Sequence, residues 1–203
     1  FDADSGSQPL TFEHCMLASG SRPARIPAFD IGSSRVMDST AALQLEDVPD
    51  SLLVIGGGYI GLEMGTVYAE LGSRVSVVEL TDGLLPGADR DLVKPLHKRL
   101  KGLFEAIRLN TKVVGLKESG NGVEVSFEGP DGETTETFSR VLVAVGRRPN
   151  SDGMGLENTN VVVDSKGFVE VDKQQRTGDS HIFAIGDVCG EPMLAHRASH
   201  QGK

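Results

Sequence analysis

One stretch constrains this chain more than any other. Leu52-Leu53-Val54-Ile55 is a continuous apolar run of strand length, and it stops at Gly56-Gly57-Gly58. A run without polar alternation suits a parallel strand buried on both faces. Ile60, Leu62, Met64, Val67, Tyr68 and Leu71 follow at helical spacing, with Gly72 as a stop, and Arg74–Leu80 reads as a second strand. Strand, glycines, helix and strand within about 30 residues form a βαβ unit. The expected class is α/β, built on a Rossmann-like domain with a parallel sheet.

The rest of the chain is arranged around that unit. Asp89 is placed to cap a helix over 90–103, with Leu92, Val93, Leu96, Leu100 and Leu103 on one face and Pro95 expected to bend it or shift its start. Lys112–Glu118, Gly122–Glu128 and Glu133–Phe138 alternate and are separated by Gly120-Asn121 and Asp131-Gly132, the pattern of an antiparallel β-meander. Arg140–Val145 is again a buried strand. Before the βαβ unit, 9–17 reads as a short strand, and 23–50 as a connector with one helix at Ser39–Leu45 capped by Ser39 or Thr40. After it, short strands are expected at Val161–Val163 and Phe168–Val171, then at His181–Ile185 before Gly186-Asp187. A faint echo aligns Cys15–Pro23 with Val141–Pro149, keeping Ala, Gly, Arg and Pro in register. Such an echo suggests two similar nucleotide-binding domains, one lying inside the sequence of the other, with chance similarity of two strand ends as the plainer alternative.

Gly56-x-Gly58-x-x-Gly61 stands where a dinucleotide fingerprint requires it, after a buried strand and at the start of a helix. Gly56 permits the tight turn, Gly58 lets a pyrophosphate approach the backbone, and Gly61 lets helix and strand pack closely. The helix N-terminus then offers N–H groups and partial positive charge to the phosphates. Glu79 ends the second strand, 23 residues after Gly56, where a carboxylate accepts hydrogen bonds from adenosine ribose hydroxyls and repels a 2′-phosphate. No arginine lies between Leu80 and Ala88 to pair with such a phosphate. NAD is expected rather than NADP. A glycine turn used only for packing is the plainer alternative, and the agreement of both flanks weighs against it.

Composition excludes several other classes. With 29 acidic against 20 basic residues, a net charge of −9 and no basic stripe, the surface repels nucleic acid. No apolar run reaches the ~18 residues a membrane helix needs. Two cysteines, Cys15 and Cys189, far apart and without a signal-peptide pattern, argue for a reducing, cytoplasmic setting and against a disulfide scaffold or a cysteine-rich metal site. Each is expected to be a small apolar filler, and neither is expected to be catalytic. The chain opens at Phe1 without an initiator Met, so a piece of a longer protein is expected.

With these pieces in order, the chain resembles the flavin-dependent pyridine-nucleotide disulfide oxidoreductases, and within them the dihydrolipoyl dehydrogenase branch. The resemblance rests on LASGSRP (17–23), VIGGGYIGLEMG (54–65), VVEL (77–80), VLVAVGRRPN (141–150), RTGDSHIFAIGD (176–187) and PMLAHRASHQG (192–202). It implies an NAD site formed by Gly56, Gly57, Gly58, Tyr59, Ile60, Gly61, Leu62 and Glu63, with Glu79 at the adenosine ribose, Val114 near adenine and Gly146 at the nicotinamide end. It likewise implies an FAD site lined by Ser19, Gly20 and Ser21, with Asp187 on a ribitol-side hydroxyl and Met193, Leu194, Ala195 and His196 against the isoalloxazine. By themselves, Asp187 would read as a cap for the next helix and His196 as a surface histidine.

The implied reaction oxidises dihydrolipoamide carried on a lipoyl-domain partner and passes electrons through a cysteine pair and FAD to NAD⁺, in an enzyme that is a homodimer at full length. The family's cysteine pair, first glycine fingerprint and catalytic His-Glu dyad are not found in this sequence. The resemblance therefore implies domains at 1–22 (partial FAD-binding), 23–149 (NAD-binding with connector) and 150–203 (partial FAD-binding), and no activity for the piece alone. An NADH oxidase or peroxidase of the same fold, or a non-enzymatic NAD-sensing module, are the alternatives.

Overall fold

A computed structural model of the chain describes residues 9–203. The chain divides into two compact units, one spanning Pro23–Gly146 and the other formed by the described residues up to Arg22 together with Arg147–Lys203. The second unit thus encloses the first in sequence.

In chain order, the enclosing unit begins with β1 (Cys15–Leu17) and β2 (Ser21–Pro23). The inner unit carries β3 (Val36–Met37), α1 (Ser39–Gln44), β4 (Ser51–Ile55), α2 (Tyr59–Glu70), β5 (Arg74–Val78), α3 (Arg90–Leu103), β6 (Ala106–Arg108), β7 (Lys112–Ser119), β8 (Gly122–Gly129), β9 (Gly132–Phe138) and β10 (Arg140–Val143). The chain then returns through β11 (Arg147–Pro149), β12 (Ile182–Ala184) and α4 (Ala195–Gln201).

The inner unit is a three-layer stack. Its central sheet is parallel, in the order β3-β10-β4-β5-β6. All five residues of β4 are buried, as the unbroken apolar run requires. Leu52, Val54, Val75 and Val77 point to one face, where Leu62 and Tyr68 of α2 and Val93 and Leu100 of α3 pack. Leu53, Ile55, Val78 and Val141 point to the other, where Val123, Val125 and Phe127 of β8 and Phe138 of β9 cover them. The meander β7-β8-β9 is antiparallel and supplies most of that second layer, with Phe29 and Ile31 packed beside it. Alternation within β4 is therefore invisible in hydropathy, because both faces meet apolar partners.

Several local expectations are corrected. Helix α1 is capped by Asp38, whose carboxylate accepts from the Thr40 and Ala41 amides, and not by Ser39 or Thr40. Helix α3 starts at Arg90 with Asp89 as its cap and runs through Pro95 without interruption or shifted start. The first strand covers only Cys15–Leu17, and β5 stops at Val78 rather than Leu80. In the tail, Val161–Val163 and Phe168–Val171 are joined only by an isolated bridge between Val163 and Val169. The turn between them is closed by Asp164, whose carboxylate takes the Lys166 and Phe168 amides, and the pairing goes no further because the Asp172 amide donates to Arg176 O.

The enclosing unit has a small core of Leu156, Val161, Val169, Ile182, Ala184 and Val188 around the parallel pair β1 and β12. Strands β2 and β11, the ends of the two echoing segments, pair with each other. Each is entered through a glycine of positive φ, Gly20 at 69° and Gly146 at 128°.

Tyr68 tests the helix layer. Its hydroxyl donates to Ala42 O at 2.9 Å in a buried setting, and burial pushes the phenol pKa up, so it stays a donor. Tyr68→Phe should remove one of the two donors to that carbonyl, the Leu45 amide being the other, and cost about 1 kcal/mol, read as a lower denaturation midpoint with an unchanged m-value.

Candidate functional site

Loops at the carboxyl ends of the parallel strands gather in the inner unit, which is where open α/β sheets bind ligands. Gly56 leaves β4 at φ 110°, and a Cβ there would stand 2.4 Å from Ala144 O. At Gly61 a Cβ would stand 2.3 Å from Gly56 O and 3.0 Å from Val54 Cγ1, so the first turn of α2 packs against the loop that precedes it. Gly58 differs, because a Cβ there would meet nothing within 4 Å. Gly58 is also the N-cap of α2, and no side chain caps that end. The helix thus presents its first-turn N–H groups on an open face, a combination suited to an anion.

Glu79 follows β5 and is only 8% exposed. Its Oε2 accepts from the Gly57 amide at 2.7 Å, while Oε1 accepts from the Thr81 amide at 2.9 Å and the Thr81 hydroxyl at 2.8 Å. Three of the roughly four lone-pair directions of the carboxylate are therefore engaged by the protein. One direction is left on Oε2. Neighbouring chain is tied to the same corner, since the Thr111 amide donates to Glu79 O and the Glu79 amide to Arg108 O. Val114 lies just beyond on β7, 46% exposed, beside the register shift between Val113 and Gly115. Gly146 lies exposed after β10 with open space at its Cβ position. Tyr59 and Glu63 are exposed on α2, Ile60 is half-buried and Leu62 is buried in the core.

In the enclosing unit, β1 and β12 run parallel and the Ile185 amide donates to Leu17 O, so the loops that follow them lie side by side. Ser19 donates to Asn150 O, and Asn150 donates back to Ser19 O. Ser21 donates to Asp187 Oδ2 at 2.6 Å and accepts from Arg147 Nε at 2.6 Å. Asp187 sits in the first turn of a 3-10 segment, Gly186–Cys189, whose N-terminal end has no side-chain cap. Gly186 approaches α4, where a Cβ on it would be 3.0 Å from Ala198 Cβ. Met193 and Leu194 are half-buried before α4, whereas Ala195 and His196 are exposed on it. Sequence reasoning missed Arg147 and Asn150, which fix the hydroxyl and backbone of the serines; both lie in the quoted VLVAVGRRPN segment.

Both cysteines are free and pack against the core of the enclosing unit. The Cys189 thiol donates to Gly186 O at 3.2 Å. Burial pushes its pKa up, opposed by the Arg197 charge, which is the reverse of what a reactive thiolate needs. Among the described residues, no cluster of ligating side chains suits a metal ion, and no helix is long and apolar enough to cross a membrane.

Comparison with known proteins gives the family. The family described as pyridine nucleotide-disulphide oxidoreductase matches residues 2–202. The chain belongs to that family. Dihydrolipoyl dehydrogenase from Vibrio cholerae serotype O1 is 46% identical over 202 residues, covering 99% of the chain and 42% of that protein, and the Geobacillus stearothermophilus enzyme of the same name is 45% identical over 198 residues, 97% of the chain and 42% of that protein. Among solved structures, LpdA from Mycobacterium tuberculosis superposes with a TM-score of 0.82 at 31% identity, over 92% of this chain and 40% of that one. The HOCl-induced flavoprotein disulfide reductase RclA from Escherichia coli superposes with a TM-score of 0.83 at 30% identity, over 92% and 42%. The chain thus spans about two fifths of the length of these relatives. Pyridine nucleotide-disulphide oxidoreductases use FAD and NAD(P).

The glycines separate fold from site. Gly61→Ala must displace backbone and should cost about 2 kcal/mol or more. Gly58→Ala, at φ −76° with open space, should cost about 1 kcal/mol or less through its weaker N-cap. Thermal melts of the two variants check the difference. With Cys15→Ser in place, Cys189 should also alkylate with iodoacetamide more slowly than glutathione at pH 8, as measured by intact mass.

Proposed function

We propose that this chain supplies the NAD-binding unit and part of the FAD site of a dihydrolipoyl dehydrogenase-type flavoenzyme. The observation that carries the reading is the open, uncapped N-terminus of α2 at Gly58, directly beside the fixed carboxylate of Glu79. The N–H groups of Ile60 and Gly61, in the turn that opens α2 between Gly58 and Leu62, hold the pyrophosphate of NAD. Glu79 offers its remaining lone-pair direction to an adenosine ribose hydroxyl, Val114 lies toward adenine, and Gly146 toward nicotinamide. In the enclosing unit, Ser19, Gly20 and Ser21 line the FAD site, Asp187 accepts from a ribitol-side hydroxyl, and Met193 to His196 lie against the flavin ring. The fit is physical, because both loops are entered through glycines of positive φ and both carboxylates are already held by protein donors. Bound FAD supplies the two-electron relay between a dithiol and NAD⁺.

The identity of 45–46% to dihydrolipoyl dehydrogenases supports that branch over other flavoenzymes of the fold. On this reading the parent enzyme is a cytoplasmic homodimer acting on dihydrolipoamide of a lipoyl-domain partner. Its redox cysteines and base belong to the relatives' length that these residues do not span. The 203 residues alone should then show no lipoamide reduction by NADH above the buffer control.

Binding tests the assignment directly. By calorimetry NADH should bind more tightly than NADPH, and Gly58→Ala should weaken NADH about tenfold while remaining folded. Glu79→Arg should close or invert the ratio of the two affinities. The ratio is the informative quantity, because the same change also loosens Gly57. Equal curves for both nucleotides in both proteins would overturn the assignment of Glu79.

A further inference from the structure

We propose that Arg90 is a positioning residue for the glycine loop, acting through the 84–88 segment; this rests on the NAD-binding reading of that loop. Arg90 is the first residue of α3. A cation there opposes the positive end of the helix dipole, where acidic residues are preferred. Its side chain instead turns back over the preceding loop. Nε donates to Ala88 O at 3.1 Å, Nη1 to Leu84 O at 2.9 Å, and Nη2 to Leu85 O at 2.6 Å and Ala88 O at 2.9 Å. A planar guanidinium with five N–H donors makes such a grip, and lysine does not.

The loop so held reaches Gly57. The Leu85 amide donates to Gly57 O at 2.8 Å. Leu84 is fully buried, with Cδ2 2.8 Å from where a Gly57 Cβ would be. Leu85 adopts φ 49°, a conformation that costs a leucine free energy and persists only when its surroundings fix it. Gly57 is therefore gripped at both ends of one residue, its N–H by Glu79 and its C=O by Leu85. Gly58 and the open end of α2 follow immediately. Arg90 has four of its five donors committed to carbonyls, so it is occupied in shaping the loop and is not free to pair with a 2′-phosphate.

The test uses the full protein that carries this sequence, with ADP-ribose as a probe that cannot be reduced. Arg90→Ala should weaken ADP-ribose about tenfold at a temperature well below both unfolding transitions. Millimolar guanidinium should restore most of that affinity, and ammonium should not. Arg90→Lys, a milder change that keeps the charge, should stay near the alanine variant. Hydrogen exchange should show the Leu85 amide losing protection in Arg90→Ala while amides of β4 keep theirs. Unchanged ADP-ribose affinity, or protection at Leu85 that survives the substitution, overturns the proposal and leaves the NAD reading standing. Failure of the unsubstituted protein to bind ADP-ribose removes the NAD reading itself and the proposal with it, whatever exchange shows.

Discussion

The hydrogen bond from the Gly57 amide to Glu79 is the contact on which the inner unit's functional face depends. It joins the loop after β4 to the residue that follows β5, whose backbone is itself bonded to Arg108 O and the Thr111 amide. A buried carboxylate without partners would be costly, but three protein donors satisfy most of it. The glycine loop can then be rigid without any side chain of its own. Rigidity matters because a loop that binds through backbone N–H groups loses affinity by whatever ordering it must undergo on binding.

The enclosing unit repeats the device with other residues. Asp187, just past β12, accepts from Ser21, just past β1, and Ser21 in turn is oriented by Arg147. In both units a carboxylate at the end of one parallel strand secures the turn after its neighbour. The echo between Cys15–Pro23 and Val141–Pro149 is separate from this device, because it matches β1 to β10 and not to β4, and its two ends meet as the pair β2 and β11.

Much of this was legible in the sequence where local chemistry decides. The β4-α2-β5 unit, the Asp89 cap and the meander follow from hydrophobic period, capping residues and turn glycines. Errors arose where two local solutions compete. Asp38 outdoes Ser39 as a cap because its carboxylate takes two amides at once. The tail strands stop at a single bridge because the next amide in line, that of Asp172, goes to Arg176 O. The hold of Glu79 on Gly57 and the grip of Arg90 on 84–88 were not legible, since both partners are backbone atoms and any residue type would supply them.

The internal bonds of Glu79 also bear on nucleotide choice. A free surface carboxylate confronted with a 2′-phosphate rotates away, and the repulsion fades in solvent. Glu79 has no such escape at low cost, because rotation would strip the Gly57 amide and both Thr81 donors of their acceptor. On the proposed reading, discrimination against NADP therefore comes from the fixity of the charge as much as from its sign. It is shared with the loop, so whatever loosens Gly57 should erode both pyrophosphate binding and the preference for NAD.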